Sequence, residues 1–249
     1  MKTVALFRFH LSLNDFLSHL KKNRFIEYSF NGNPSVKDAI EAIGIPHVEV
    51  DVILRNNHPI PFTANISNKD IVEVYPSKRQ LELPENYTLR SPFPLQFILD
   101  VHLGGLARKL RLLGFDTCYE TNYSDHFIAQ TALKEQRIVL TRDIGLLKHK
   151  SIEWGYWLRS QHTKEQLREV MQRYQLYKLI QPFRRCLSCN GSIAPVEKIV
   201  IAHQLPQNIY DAFPDFYQCG NCKKIYWKGS HYDRMIGFIE SIKKSGMQS

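Results

Sequence analysis

Between Phe97 and Asp143 the chain alternates strand and helix signals at a spacing that admits few folds. Phe97-Ile98-Leu99-Asp100 is a short apolar run closed by an acid. A helical pattern follows (Leu103, Leu106, Ala107, Leu110, Leu113) and stops at Gly114. Thr117-Cys118-Tyr119 is a second short strand, and a loop leads to Asp125. A second helix runs on to Gln136, and Arg137 to Asp143 forms a third strand. Strand and helix alternating in this way predict right-handed crossovers and a parallel sheet, an α/β architecture whose strand ends and following loops collect on one side. Asp100, Asp125 and Asp143 are therefore expected to converge.

Two carboxylates about 4 Å apart at an effective dielectric of about 20 repel by roughly 4 kcal/mol. A divalent cation removes that repulsion. Mg²⁺ and Mn²⁺ take oxygen ligands, keep several waters and are usually held by a few carboxylates plus substrate phosphate, so three such acids suit metal-assisted attack on a phosphodiester. The competing reading is that each acid is a helix N-cap or a solvated loop residue, and Asp125 ahead of Ile128-Ala129 fits the cap.

Cys186-Leu187-Ser188-Cys189-Asn190-Gly191 and Cys219-Gly220-Asn221-Cys222 are two Cys-x-x-Cys knuckles, separated by enough chain for a β-hairpin excursion. Cys186, Cys189, Cys219 and Cys222 fill a tetrahedral zinc shell with no position left for water, which makes the expected site structural. Redox-active pairs are the alternative. Cys118 stands alone on an apolar strand and is expected to pack as a small core residue.

The chain carries 33 basic and 24 acidic residues, a formal charge of +9. The excess is uneven: residues 1–90 hold 11 basic and 10 acidic side chains, whereas residues 91–249 hold 22 and 14. A polyanion would meet the C-terminal two thirds, unless the charge only solubilises the surface. Arg108, Lys109 and Arg111 interleave with the leucines of the first helix, either as a phosphate track beside Asp100 or as a solvated face. Arg142 is either a substrate-phosphate ligand or the partner of a neighbouring carboxylate. No apolar run is long enough for a membrane span or a signal peptide, and the cysteine usage argues against a secreted disulfide framework, so a cytoplasmic protein is expected.

Residues 1–80 form a separate α+β unit. Its expected elements are a strand over Val4 to Phe9, an amphipathic helix through Leu13-Phe16-Leu17-Leu20, and a strand over Phe25 to Phe30. A capped helix from Ser35 to Gly44, a strand over Val48 to Leu54, a turn at Asn56-Asn57 and a closing strand at Ile71 to Tyr75 follow. Residues 81–95, with Pro84, Pro92 and Pro94, have linker chemistry. Residues 96–180 make the α/β domain, completed by a short helix at Leu146-Leu147, a strand at Tyr156-Trp157-Leu158 and a helix entered through Thr163-Lys164-Glu165-Gln166 as a capping box. Residues 181–249 hold the cysteine knuckles and a helix near Asp233 to Ile242. Tyr226, Trp227 and Tyr232 beside Lys228, His231 and Arg234 either stack bases or supply the small metal domain with its core.

The run Leu103-Gly104-Gly105-Leu106-Ala107-Arg108-Lys109-Leu110-Arg111-Leu112-Leu113-Gly114-Phe115-Asp116 carries a resemblance, together with Leu140-Thr141-Arg142-Asp143 and Tyr226-Trp227-Lys228-Gly229-Ser230-His231. Over about residues 95–240 the chain resembles the Mut-seven C-terminal RNase family, a PIN-like nuclease fold fused to a zinc ribbon. The resemblance implies a metal-dependent ribonuclease acting on RNA, with Asp100, Asp125 and Asp143 holding Mg²⁺ or Mn²⁺. Arg108, Arg111 and Arg142 would bind substrate, and Thr141 would orient Asp143. There is one departure: PIN-like nucleases commonly carry a fourth acid after the next strand, and Ser160-Gln161-His162 has none. The N-terminal unit resembles the ubiquitin-like β-grasp of small sulfur carriers, but it runs on through Tyr75-Pro76-Ser77-Lys78 without a terminal Gly-Gly, which favours binding a protein partner over carrier chemistry. A non-catalytic RNA-binding adaptor is the alternative function; a phosphoaspartate switch fits less well, since Asp100-Val101-His102 lacks a second acid.

Overall fold

A computed structural model of the chain describes residues 3–76, 81, 87, 89 and 93–246. Most of the expected linker at 81–95, including Pro84 and Pro92, lies outside the described residues. The chain divides into two compact units, one of Met1–Pro94 with Asp143–Trp157 and one of Leu95–Arg142 with Leu158–Ser249.

The first unit is a β-grasp. Its elements are β1 (Thr3–Phe9), β2 (Ile26–Phe30), α1 (Val36–Ile43), β3 (Val52–Arg55), β4 (His58–Pro59) and β5 (Ile71–Tyr75). The sheet order is β2-β1-β5-β3-β4, with β1 parallel to β5 and antiparallel to β2. The alternating burial of β1 sends Ala5, Phe7 and Phe9 into a core shared with Ala39, Ile40, Ile53, Val72 and Val74. Ser35 Oγ accepts from the Asp38 amide at 3.2 Å and Gly44 ends the helix, as expected.

Two expectations fail in this unit for local reasons. The helix through Leu13 to Leu20 is only a 3₁₀ turn over Leu11–Phe16, and Leu20 is 79% exposed. The Asn14 amide group donates to the Phe9 and Leu11 carbonyls while its oxygen accepts from Asn23 N, giving the backbone a competing set of bonds. The strand expected from Val48 begins only at Val52, because His47–Glu49 is a 3₁₀ turn whose side chains are buried for another purpose. His47 Nε2 bonds the Ile152 carbonyl at 2.9 Å, and Glu49 accepts from Trp157 N at 2.6 Å. Phe16 packs on Trp157 with 5.0 Å between ring centroids. Residues 143–157 are thereby tied to the β-grasp.

The second unit starts with β6 (Gln96–Leu99), α2 (Gly104–Leu112), β7 (Asp116–Cys118), α3 (Asp125–Glu135) and β8 (Ile138–Thr141). Next in the chain are α4 (Ile144–Leu147) and β9 (Gly155–Trp157), which belong to the first unit. The second unit resumes with α5 (Thr163–Arg173), β10 (Ile193–Val196), α6 (Lys198–Ile201), α7 (Gln207–Ala212), β11 (Phe216–Cys219), β12 (Ile225–Trp227) and α8 (Ser230–Gly246). Strand β6 lies between β7 and β8 and is parallel to both. Phe97, Ile98, Leu99, Ile138, Val139 and Leu140 are all 0% exposed, which is the pattern of a parallel sheet covered on both faces. The segment between the knuckles is a hairpin, with β10 antiparallel to β11 and the two short helices α6 and α7 on its connection. The capping box at Thr163 does not form: His162 is the N-cap position with no side-chain bond, and Gln166 is buried and donates to the Ser160 carbonyl at 3.1 Å.

Gly114 terminates α2 at φ +97°, and a Cβ there would lie 2.0 Å from the Gln181 carbonyl oxygen. Gln181 N donates in turn to the Leu113 carbonyl at 3.0 Å, so this close approach joins α2 to the chain entering the cysteine region. Gly114→Ala combines a left-handed residue with a backbone clash and is expected to lower stability by about 2 kcal/mol or more. Urea unfolding of the full-length chain measures it.

Candidate metal centre

The two knuckles are copies of one backbone device. Asn190 N donates to the Cys186 carbonyl and Lys223 N to the Cys219 carbonyl, at 2.9 and 3.2 Å. Cys186 N donates to the Gly191 carbonyl and Cys219 N to the Lys224 carbonyl, at 2.7 and 3.0 Å. Asn190 and Lys223, each next after a knuckle's second cysteine, both take the left-handed conformation at φ +67° and +61°. Each turn thus aims two sulfurs the same way. Gly191 cannot carry a side chain, since a Cβ would meet Cys219 Sγ at 2.8 Å.

The four sulfurs lie within 4.8 Å of one another, with Cys186 to Cys222 at 3.5 Å and Cys189 to Cys219 at 3.4 Å. Zn–S bonds of about 2.3 Å in a tetrahedron place sulfurs about 3.8 Å apart, so the quartet fits a zinc ion with little adjustment. Burial pushes the Cys186 thiol up, but bonds from the Tyr226 hydroxyl, the Cys189 and Ser188 amides and Cys222 outweigh it and bring it down to about 6. Burial and the neighbouring sulfurs push Cys189 up to about 12. Four sulfurs this close cannot all ionise unaided, and a bound cation resolves the conflict. The geometry leaves no open coordination position.

Two charged groups fasten this centre to the parallel sheet. Asp116, the first residue of β7, pairs with Arg137 at 2.6 Å and Arg185 at 2.9 Å and accepts from Asn190 Nδ2 at 2.9 Å. Asn190 Oδ1 in turn accepts from Thr117 N at 2.9 Å. Burial raises the Asp116 carboxyl, but the bonds from Arg137 and Asn190 and the two guanidinium charges outweigh it, leaving the carboxyl below its ordinary range. Arg111 is 3% exposed and donates to the Thr117, Tyr119, Leu187 and Ser188 carbonyls. Its role as a substrate ligand is corrected here: the guanidinium is consumed in holding the first knuckle. Neither Asp116 nor Asn190 was singled out from the sequence, although both sit inside recognised motifs; a charged residue opening a buried strand was the available signal.

The three aspartates stand in different local settings. Asp100 follows β6, and its amide donates to the Leu140 carbonyl at 3.1 Å. Its carboxylate accepts from Val101 N at 2.6 Å and from Thr141 Oγ1 at 2.9 Å, so the expected orienting hydroxyl serves Asp100. Asp125 opens α3 but does not cap it; Ser124 Oγ accepts from Phe127 N, and the Asp125 carboxylate is exposed. Asp143 does cap a helix, accepting from Gly145 N at 2.7 Å. Asp100 and Asp125 belong to the second unit and Asp143 to the first. Among the described residues the four cysteines are the one group of three or more potential ligands within reach of a single ion. At the turn where a fourth acid was missing, Glu169 reaches over from α5 and accepts from the Arg159 and Ser160 amides, both at 2.9 Å.

The Mut7-C RNAse domain model matches residues 95–239, and the Mut7-C ubiquitin model matches residues 1–82. The chain belongs to the Mut7-C RNAse family. No curated protein and no solved structure matches it. In this Mut7-C RNAse chain Arg108 is exposed on α2, and Arg142 is half-buried just after β8. Tyr226 bonds Cys186 Sγ at 3.0 Å and Trp227 lies between Phe213 and Phe216, so these aromatics do build the ribbon's small core. Trp227 nevertheless keeps 36% of its surface exposed.

Asp116→Asn removes the charge that two arginines face and is expected to cost about 1–3 kcal/mol, less than a fully buried pair because the site is partly hydrated. Because the folded carboxyl is depressed, its contribution is present above the unfolded pKa and is lost as pH falls through the lower, folded value. The difference between wild type and variant should therefore shrink below about pH 4. Denaturation midpoints at neutral and acid pH check both the size and the sign.

Proposed function

We propose that this chain is a metal-dependent ribonuclease whose catalytic carboxylates are Asp100, Asp125 and Asp143. The supporting observation is the end of β6, where Thr141 from the adjacent parallel strand fixes the Asp100 carboxylate in a domain that matches the Mut7-C RNAse model. Asp125 and Asp143 come after β7 and β8 in the chain, Asp125 at the start of α3 and Asp143 two residues past β8. Their oxygen donors suit Mg²⁺ or Mn²⁺, which when bound supplies Lewis-acid polarisation of the phosphate and a nucleophile at neutral pH. The chain's own part is to hold substrate and ligands still. Thr141 fixes one carboxylate, Gly145 N fixes another, and Arg108 and Arg142 are the cations offered to the RNA phosphates.

The cysteine quartet holds zinc as a structural ion. The ubiquitin-like unit serves as a protein-binding module, in line with its family match and the missing Gly-Gly.

Asp143→Asn tests the catalytic assignment. Asparagine keeps the cap on Gly145 N, so the melting temperature should hold, whereas Asp143→Ala should lose about 1 kcal/mol. Cleavage of RNA with Mn²⁺ should fall on the order of a hundredfold or more in Asp143→Asn, with RNA affinity unchanged. Single-turnover cleavage and filter binding at fixed salt decide it. Unchanged cleavage would remove Asp143 from the site, and no cleavage by wild type with any divalent ion would favour the RNA-binding adaptor. For the ribbon, elemental analysis should find about one zinc per chain, lost in Cys219→Ser.

A further inference from the structure

Three clefts of the second unit share walls. The first, about 700 Å³, opens at Gly104-Gly105 at the start of α2 and includes Arg108, Leu187 and Lys224. The second, about 310 Å³, shares Arg108 and Leu187 with it and adds Arg234 and Met235. The third, also about 310 Å³, shares Leu187 and Met235 with the second and is walled by Phe183, Tyr217, Trp227 and Tyr232, with Arg184 and Lys228 among its lining. The three form one track over the tip of the first knuckle. Its polar end lies at the first turn of α2, where Leu103 N donates to the Asp100 carbonyl at 3.0 Å.

We propose that this track binds single-stranded RNA, with a base in the aromatic cleft and the backbone running across the knuckle toward Asp100. The identification of RNA rests on the ribonuclease reading; the strandedness comes from the shape and chemistry of the walls. Arg108, Arg184, Lys224, Lys228 and Arg234 are exposed along the track, against one wall carboxylate, Glu120 in the first cleft. Arg108, Arg184 and Arg234 make no ion pair among the described residues, which leaves their charge for phosphates. The aromatic cleft is at the small end of ligand sites and takes one splayed base, which a duplex keeps stacked inside its helix. Arg111 fixes the track at its midpoint by donating to the Leu187 and Ser188 carbonyls.

The test is equilibrium binding of the zinc-loaded full-length chain to a short labelled RNA, single-stranded or annealed, without added divalent ion so that cleavage does not intervene. Single strand should bind at least about tenfold tighter than duplex. Arg234→Glu should weaken single-strand binding about tenfold and reduce the salt slope by about one. Trp227→Ala should weaken it similarly, and Trp227→Phe should restore it, with zinc content and melting temperature as controls. Equal affinity for duplex, or single-strand affinity unmoved by Arg234→Glu and by Trp227→Ala, overturns the track. Single-strand binding that Arg234→Glu and Trp227→Ala both weaken, with no RNA cleavage by wild type in Mn²⁺, would keep the track and discard the nuclease reading.

Discussion

The Asp116 carboxylate is the point on which the second unit depends. It opens a strand of the parallel sheet, and it faces two guanidinium groups and a knuckle asparagine at once. A carboxylate placed there without those partners would be a poorly solvated charge, and two arginines without it would repel each other. Arg137 comes from the turn between α3 and β8, whereas Arg185 and Asn190 come from the cysteine region, so one acid joins the parallel sheet to the cysteine knuckles. Arg111 repeats the logic with neutral acceptors, giving its N–H groups to carbonyls of β7 and of the first knuckle.

This junction makes the cysteine quartet part of the architecture of the Mut7-C RNAse domain. The knuckles have little apolar core of their own, and Tyr226, Phe213, Phe216 and Trp227 supply most of what there is. The polar clasp sets the orientation of this small region, and its quartet of sulfurs has the spacing to take an ion. Held by the clasp, the first knuckle presents Leu187 between the basic and aromatic clefts as a fixed wall.

The β-grasp unit illustrates a different constraint. Its buried His47 and Glu49 are unusual in a small core, and each finds its partner in residues 143–157. Burying polar groups is tolerable only when their bonds are made, so these two side chains commit the unit to a segment far away in sequence. A detached fragment ending near residue 80 would lose these two bonds, while His47 Nδ1 would keep its contact with Glu41 at 2.6 Å.

The sequence by itself determined the parts whose signals are local. The alternation from Phe97 to Asp143 set the parallel strands, Ser35 and Gly44 bounded their helix, and the paired Cys-x-x-Cys runs located a metal quartet with no other grouping needed. Each depends on residues a few positions apart, where periodicity, capping and ligand spacing act directly. Tertiary structure decided what those residues do. Arg108 and Arg111 lie on the same basic helix, yet one is exposed and the other buried under a knuckle. Thr141 donates to Asp100, forty-one positions back, because parallel pairing sets β8 beside β6. Asn14 unmade an amphipathic helix by bonding backbone carbonyls, and His47 and Glu49 were taken by a segment more than a hundred positions on. In every such case the outcome turned on which partner satisfied a buried polar group, and that partner was brought near only by folding.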